Sequence, residues 1–145
     1  MIKFVRMIKI NVDSLDFLEW APDGEPRFNY LGLPFNGIAI DFYKNGNLSY
    51  EREYINGYRE GQQKGFHSDG SVETIYTRKW SRYHGAKTDW YPNGKIKSET
   101  LWELGHKISE KEWDENGNVI SEYSITNHPE KLGALEKDRQ VFSDL

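Results

Sequence analysis

Four histidines, His67, His84, His106 and His128, are the first residues here that could do chemistry. Imidazole is a base near neutral pH and a common metal ligand. Zinc sites draw their ligands from close pairs of the H-x₃-H kind, and these four lie 17, 22 and 22 residues apart. They read as turn and tail residues, with no metal held between them. Carboxylates are far more numerous, at 23 Asp and Glu. Two acids on neighbouring strands at glycosidase separation would suit hydrolysis, and Glu51 with Glu73 or Asp89 with Glu99 are candidate pairs. So many acids on a small sheet form such pairs by chance, so no catalytic residue is expected. The chain has no Cys, which excludes thiolate chemistry and disulfides. It contains no G-x-S-x-G elbow, no G-x-x-x-x-G-K-[ST] loop and no G-x-G-x-x-G turn. No cofactor is expected.

What remains is binding chemistry. The segment from Tyr76 to His84 gathers Arg78, Arg82 and His84 with Trp80 and Tyr83. Arg, Trp and Tyr are the residues that carry energy at protein interfaces. A second candidate set is acidic: Glu51, Glu53, Glu73, Asp89 and Glu99 alternate with apolar neighbours and belong to one charged face by a count of twos. The net charge is −4, without the basic field that nucleic-acid binders carry. A protein partner is expected, and no nucleic acid.

These residues sit on a repeating frame. Gly37, Gly61 and Gly85 are 24 residues apart, and Asn45-Gly46, Asp69-Gly70 and Asn93-Gly94 keep that spacing. Asn116-Gly117 follows one residue early, so the last unit is clipped. Gly57 and Gly105 mark a second turn in each unit, with Ser81 where the middle glycine would stand. Asn-Gly and Asp-Gly favour two-residue hairpin turns with positive φ. Each unit is thus strand, tight turn, strand, looser turn, with strands near 38–43, 48–54, 62–67, 72–79, 86–91, 96–102, 110–114 and 119–125. Loops this short force antiparallel pairing. Alternation predicts one apolar face: Ile38, Ile40, Phe42, Leu48, Tyr50, Tyr54, Phe66, Val72, Tyr76, Trp90, Ile96, Trp102, Trp113, Val119 and Tyr123. That face is the expected core, an aromatic beside an aliphatic in every unit.

At 145 residues, with 14% aromatics and 13 Gly, the chain suits one largely solvated antiparallel sheet. Residues 1–126 are the expected β-repeat domain, with 1–36 supplying N-terminal strands or a worn first repeat. The stretch Met1 to Ile10 is interrupted by Lys3, Arg6 and Lys9, so it reads as a strand and not a signal peptide. No apolar run reaches the roughly 18 residues of a membrane span. Residues 127–145 are the expected helical tail, opened by Asn127-His128-Pro129, with Leu132, Leu135, Phe142 and Leu145 on one side. It would cap the sheet, since an uncovered edge invites association; a partner-binding helix is the alternative.

Asp89-Trp-Tyr-Pro-Asn-Gly-Lys-Ile-Lys-Ser-Glu99 and Asp41-Phe-Tyr-Lys-Asn-Gly-Asn-Leu-Ser-Tyr-Glu51 resemble the MORN-repeat variant, whose units carry a Y-x-N-G-K-L-K-S-E signature. The resemblance covers about residues 37–123 and departs from the pattern in the 61–84 unit. It implies an elongated antiparallel meander of stacked hairpins and brings no shared catalytic residues. Bacterial members are commonly labelled antitoxin or immunity components, and eukaryotic relatives of the repeat are linked to membrane and protein scaffolding. The resulting expectation is a bacterial, cytoplasmic, non-enzymatic antitoxin or immunity protein that covers a cognate toxin's active surface. A scaffold or membrane-surface module resting on Arg78 to His84, and a carbohydrate-active hydrolase, are the alternatives.

Overall fold

Two kinds of turn, used in strict alternation, lay out the sheet. In the first, Gly46 N–H donates to Tyr43 O at 2.9 Å and Tyr43 N–H to Asn47 O at 2.8 Å, around Lys44-Asn45-Gly46. Only the glycine has positive φ (91°). This is a type I turn closed by a glycine bulge, with three residues in the loop. The same two hydrogen bonds recur at His67–Ser71, Tyr91–Lys95 and Asp114–Asn118, and again at Ala21–Glu25 near the N-terminus. The second kind has two central residues of positive φ: Asn56-Gly57, Trp80-Ser81 and Leu104-Gly105, with Leu31-Gly32 near the N-terminus. The two turn types are therefore exchanged relative to expectation. An Asn whose Oδ1 takes the N–H two residues on, as Asn45 does from Asn47 at 2.9 Å, stays at negative φ and leaves the left-handed position to Gly alone.

The computed structural model of the protein describes residues 7–143. A short strand β1 (Lys9–Asn11) leads into a three-stranded sheet, β2 (Asp16–Trp20), β3 (Pro26–Tyr30) and β4 (Leu33–Pro34). The repeats follow as β5 (Gly37–Phe42), β6 (Leu48–Ile55), β7 (Tyr58–Phe66), β8 (Val72–Lys79), β9 (Arg82–Tyr83), β10 (Gly85–Trp90), β11 (Ile96–Glu103), β12 (His106–Trp113) and β13 (Val119–Ser124). They pair in chain order as an antiparallel meander, with the short β9 pairing β8 and β1 added in parallel beside β5. Helix α1 (Pro129–Ser143) ends the described chain. The protein is all-β with one C-terminal helix. The expected strand at Ile2 and Phe4, and the helix position Leu145, lie outside the described residues.

The expected core face is not what folds. Each long hairpin has a bulge at the same place, between Asp41/Phe42, Gly65/Phe66, Asp89/Trp90 and Glu112/Trp113. A bulge inserts one residue and reverses the parity of all that follow. Directly paired residues share a face, so the register gives an outer row of Ile40, Glu51, Lys64, Ile75, Thr88, Glu99, Lys111 and Glu122. The inner face holds Ala39, Arg52, Gln63 and Tyr76, then Lys87, Thr100, Glu110 and Tyr123. Of the fifteen predicted core residues only Tyr54 is buried, and Phe42 and Val119 are exposed.

Burial instead concentrates where something lies on the inner face. At one end the three-stranded sheet covers β5 and β6, closing a core of Leu15, Phe35, Ala39 and Tyr54, with Ile10, Val12, Phe28 and Tyr30 against it. Phe28 and Phe35 pack on Tyr54 with ring centroids 5.7 and 5.8 Å apart. At the other end Leu104, Ile125 and Leu135 are buried near α1. The helix therefore caps the face of the sheet and leaves Val119 and Ile120 of the last strand exposed.

Candidate functional site

Side chains that open the tight turns bond the backbone of the next repeat. The Tyr43 hydroxyl donates to Phe66 O at 2.6 Å, and the Tyr91 hydroxyl to Trp113 O at 2.8 Å. Between them, His67 Nε2 lies 2.8 Å from Trp90 O, a carbonyl that can only accept, so this nitrogen carries the proton. Asn45 Nδ2 donates to Ser68 O and Asn93 Nδ2 to Glu115 O, at 2.7 and 3.2 Å. The Tyr-x-Asn-Gly signature is a device for clasping the next unit.

The basic segment proves to be the seam of the molecule. Arg78 is buried; its Nη2 meets Asp23 Oδ2 at 2.7 Å and Ser81 O at 2.8 Å. Asp23 is 55 residues away, in the β2–β3 turn. Beside it Arg59 meets Glu25 Oε1 at 3.1 Å, donates to Gln63 Oε1 at 3.0 Å and reaches the Tyr76 hydroxyl. These two arginines fasten the three-stranded sheet to β7 and β8. Arg82 Nη1 reaches Asp138 Oδ2 of α1 at 3.3 Å, and His106 Nε2 meets the same oxygen at 2.7 Å. The hydrogen bond from His106 first, and the Arg82 charge after it, hold the Asp138 carboxyl below the usual carboxylate range. Trp80 lies on Phe142 with ring centroids 4.9 Å apart, Tyr83 stacks on Trp102 at 4.9 Å, and His84 Nδ1 accepts from Leu104 N–H at 3.2 Å. Arg139 adds an ion pair to Glu103 at 2.6 Å.

The missing glycine at Ser81 is compensated. Trp80 and Ser81 adopt φ of 51° and 60°, and the Glu60 carboxylate accepts both of their N–H groups, at 3.1 and 2.7 Å. Charge-assisted bonds of this kind offset the strain of two left-handed non-glycine residues.

The acidic candidates are scattered by the bulges. Glu51 and Glu99 lie on the outer face, with Lys9 Nζ 3.5 Å from Glu51. Glu53 faces the β7 bulge, where its Oε2 accepts the Gln62 N–H at 2.7 Å. Glu73 is the inserted residue of the β8 bulge. Asp89 lies on the inner face, bonded by Lys87 Nζ at 2.6 Å and Ser98 Oγ at 2.8 Å. Burial alone would push its carboxyl up, and the bonds from Lys87 and Ser98 outweigh it and lower it. Neither hydrolase pair survives this placement. Thr88 is the residue opposite Glu99, so Asp89 and Glu99 project from opposite faces. Strand β7 runs between Glu51 and Glu73, about 10 Å of sheet at two strand spacings. Among the described residues no three His, Asp or Glu side chains come together as a metal site.

Depressions in the surface are shallow. One of about 530 Å³ runs over β10 to β13, along Ala86, Thr88, Glu99, Leu101, Lys111 and Glu122. Another of about 450 Å³ lies along the seam, between Asp23, Arg78, Arg82 and Asp138. Sequence reasoning missed the acids that pin the seam, Asp23, Glu60 and Asp138. It also missed the exposed pair Phe17 and Trp20, whose rings are 5.1 Å apart. Only turn composition hinted at Asp23, and nothing local marked the rest.

The pattern of clasped hairpins matches a known family. MORN repeat variant sequences match residues 35–56, 83–103 and 109–127. The chain is 34% identical over 114 residues to Immunity protein YwqK of Bacillus subtilis (strain 168), covering 79% of this chain and 74% of that protein. The chain belongs to the MORN repeat variant family. No solved structure matches it. The unmatched stretch 57–82 contains the seam arginines Arg59, Arg78 and Arg82, and 7–34 contains the three-stranded sheet. Among the described residues no helix is long and apolar enough to cross a membrane.

Proposed function

We propose that the protein is a non-enzymatic immunity protein that neutralises a partner toxin in the bacterial cytoplasm by covering its active surface. The similarity to Immunity protein YwqK over most of both chains carries this reading. The architecture supports it: a rigid meander with two broad faces offers area for occlusion and recurrent turns that hold it in shape. The basic segment Arg78 to His84 acts as a fastener within the molecule, so an anionic membrane is a poor partner for it. Contact with the toxin falls on surfaces the seam leaves open.

The test is expression of the genes flanking this one, each alone and each with this protein. One neighbour should arrest growth alone, be tolerated together with this chain, and co-purify with it as a stable complex. Harmless neighbours and no retained partner would overturn the reading.

A further inference from the structure

The most exposed large aromatic of the described chain is Trp20, with 69% of its surface in contact with solvent. It belongs to β2, where every residue from Asp16 to Trp20 is exposed. Phe17, 54% exposed, stands edge-on to it at 5.1 Å, and Leu18 lies exposed between them. β2 is an edge strand: among the described residues it pairs with β3 alone. A row of open backbone donors and acceptors beside exposed apolar side chains is what proteins ordinarily blunt with lysine or proline. β2 carries neither, and its one interruption is a bulge at Leu18, between Phe17 and Glu19. From Ile10 to Pro26 the chain has no Lys or Arg, against five acids, Asp13, Asp16, Glu19, Asp23 and Glu25. Asp23 and Glu25 face inward to Arg78 and Arg59, and Glu19 pairs with Arg27, while Asp13 and Asp16 are exposed.

We infer that the β2 edge docks a cationic, extended segment of a partner protein, which adds a strand beside Asp16–Trp20 and places apolar side chains against Phe17 and Trp20. This deepens the immunity reading by naming the contact surface, and it rests on that reading only for the partner's biological identity. Main-chain pairing supplies affinity in such strand addition, and the aromatic pair supplies the anchor. Charge selects the occupant. A basic strand meets the unpaired Asp13 and Asp16, whereas a second copy of this chain would bring the same two acids against them. The surface also lies outside the stretches matched by the repeat family, on an element the meander itself does not require.

The experiment is hydrogen exchange by mass spectrometry on the full chain with two synthetic nonapeptides, one alternating Lys and Val, the other Glu and Val. The Lys-Val peptide should slow amide exchange over residues 16–20 and leave 119–124 unchanged. Trp20→Ser should weaken that binding about tenfold or more with an unaltered melting curve, because the indole is exposed. Equal protection by the Glu-Val peptide, or protection confined to other strands, would overturn the inference. So would a dimer in sedimentation that Trp20→Ser dissolves, since the edge would then belong to a second copy. No toxin enters this experiment, so its failure removes the β2 edge and leaves the growth-rescue test standing.

Discussion

Gly61 and Gly85 occupy the same place in successive repeats, with φ of 86° and 85°, yet their surroundings differ. A Cβ built on Gly85 meets nothing within 4 Å. One built on Gly61 lies 2.1 Å from Glu53 Oε2 and 2.3 Å from Glu53 Cδ. Gly85→Ala therefore incurs only the left-handed backbone penalty, about 1–2 kcal/mol, partly offset by a stiffer unfolded chain. Gly61→Ala adds the loss of the 2.7 Å bond between the Glu53 carboxylate and the Gln62 N–H. Bonds to charged acceptors are worth roughly 1.5–3 kcal/mol, and this solvent-exposed one falls in the lower part of that range. Gly61→Ala should thus cost about 2 kcal/mol more than Gly85→Ala. In equilibrium urea unfolding this is a separation of about 1 M between midpoints, at the slopes usual for small proteins. Glu53→Gln closes the cycle: it should cost about 1 kcal/mol in the native background and close to nothing beside Ala at 61. Coincident midpoints for the two glycine variants, or the same cost for Glu53→Gln in both backgrounds, would refute the assignment of Glu53 to the bulge.

Three further outcomes follow from the seam and the repeat bonds. Asp23→Asn should destabilise by about 2–3 kcal/mol, since it strands the buried Arg78 guanidinium, and Arg78→Met by less, since Asp23 can turn to solvent; the double variant should cost about 1–2 kcal/mol less than their sum in a thermal or urea cycle. Asp138 titrates below its unfolded value, so its contribution to holding α1 is complete above the ordinary carboxylate range, about pH 4–5, and is lost as pH falls through the lowered folded value. Trp80 fluorescence should report this through its contact with Phe142, and Asp138→Asn should abolish the acid step. Tyr91→Phe removes one inter-repeat bond and should cost about 1 kcal/mol, a shift of roughly 2–4 °C in calorimetry.

The strand ladder was legible because turns are local chemistry. Gly37, Gly61 and Gly85, with Asn45, Asp69 and Asn93, place all eight repeat strands within a few residues of where they form. What failed was parity. A bulge at Phe42, Phe66, Trp90 and Trp113 follows from hydrogen-bond registration between two strands, and no alternation within one strand signals it. The same local view singled out Arg78, Trp80, Arg82, Tyr83 and His84 as unusual, which they are. Their partners Asp23 and Asp138 sit 55 and 56 residues off, beyond any local pattern. The exposed edge at Phe17 and Trp20 was likewise hidden, because an apolar strand reads the same whether covered or bare.

Arg78 and Arg82, four positions apart beside one turn, tie down the two ends of the chain separately. Mechanically this makes the Trp80–Ser81 turn a buckle. A load applied at the two ends first peels β1 from β5 on one side; it then reaches the turn through the three-stranded sheet, and through α1 on the other side. Under tension the ion pairs to Asp23 and Asp138 yield before the long strands unzip. Extension traces should then show short early releases ahead of the larger steps of the meander.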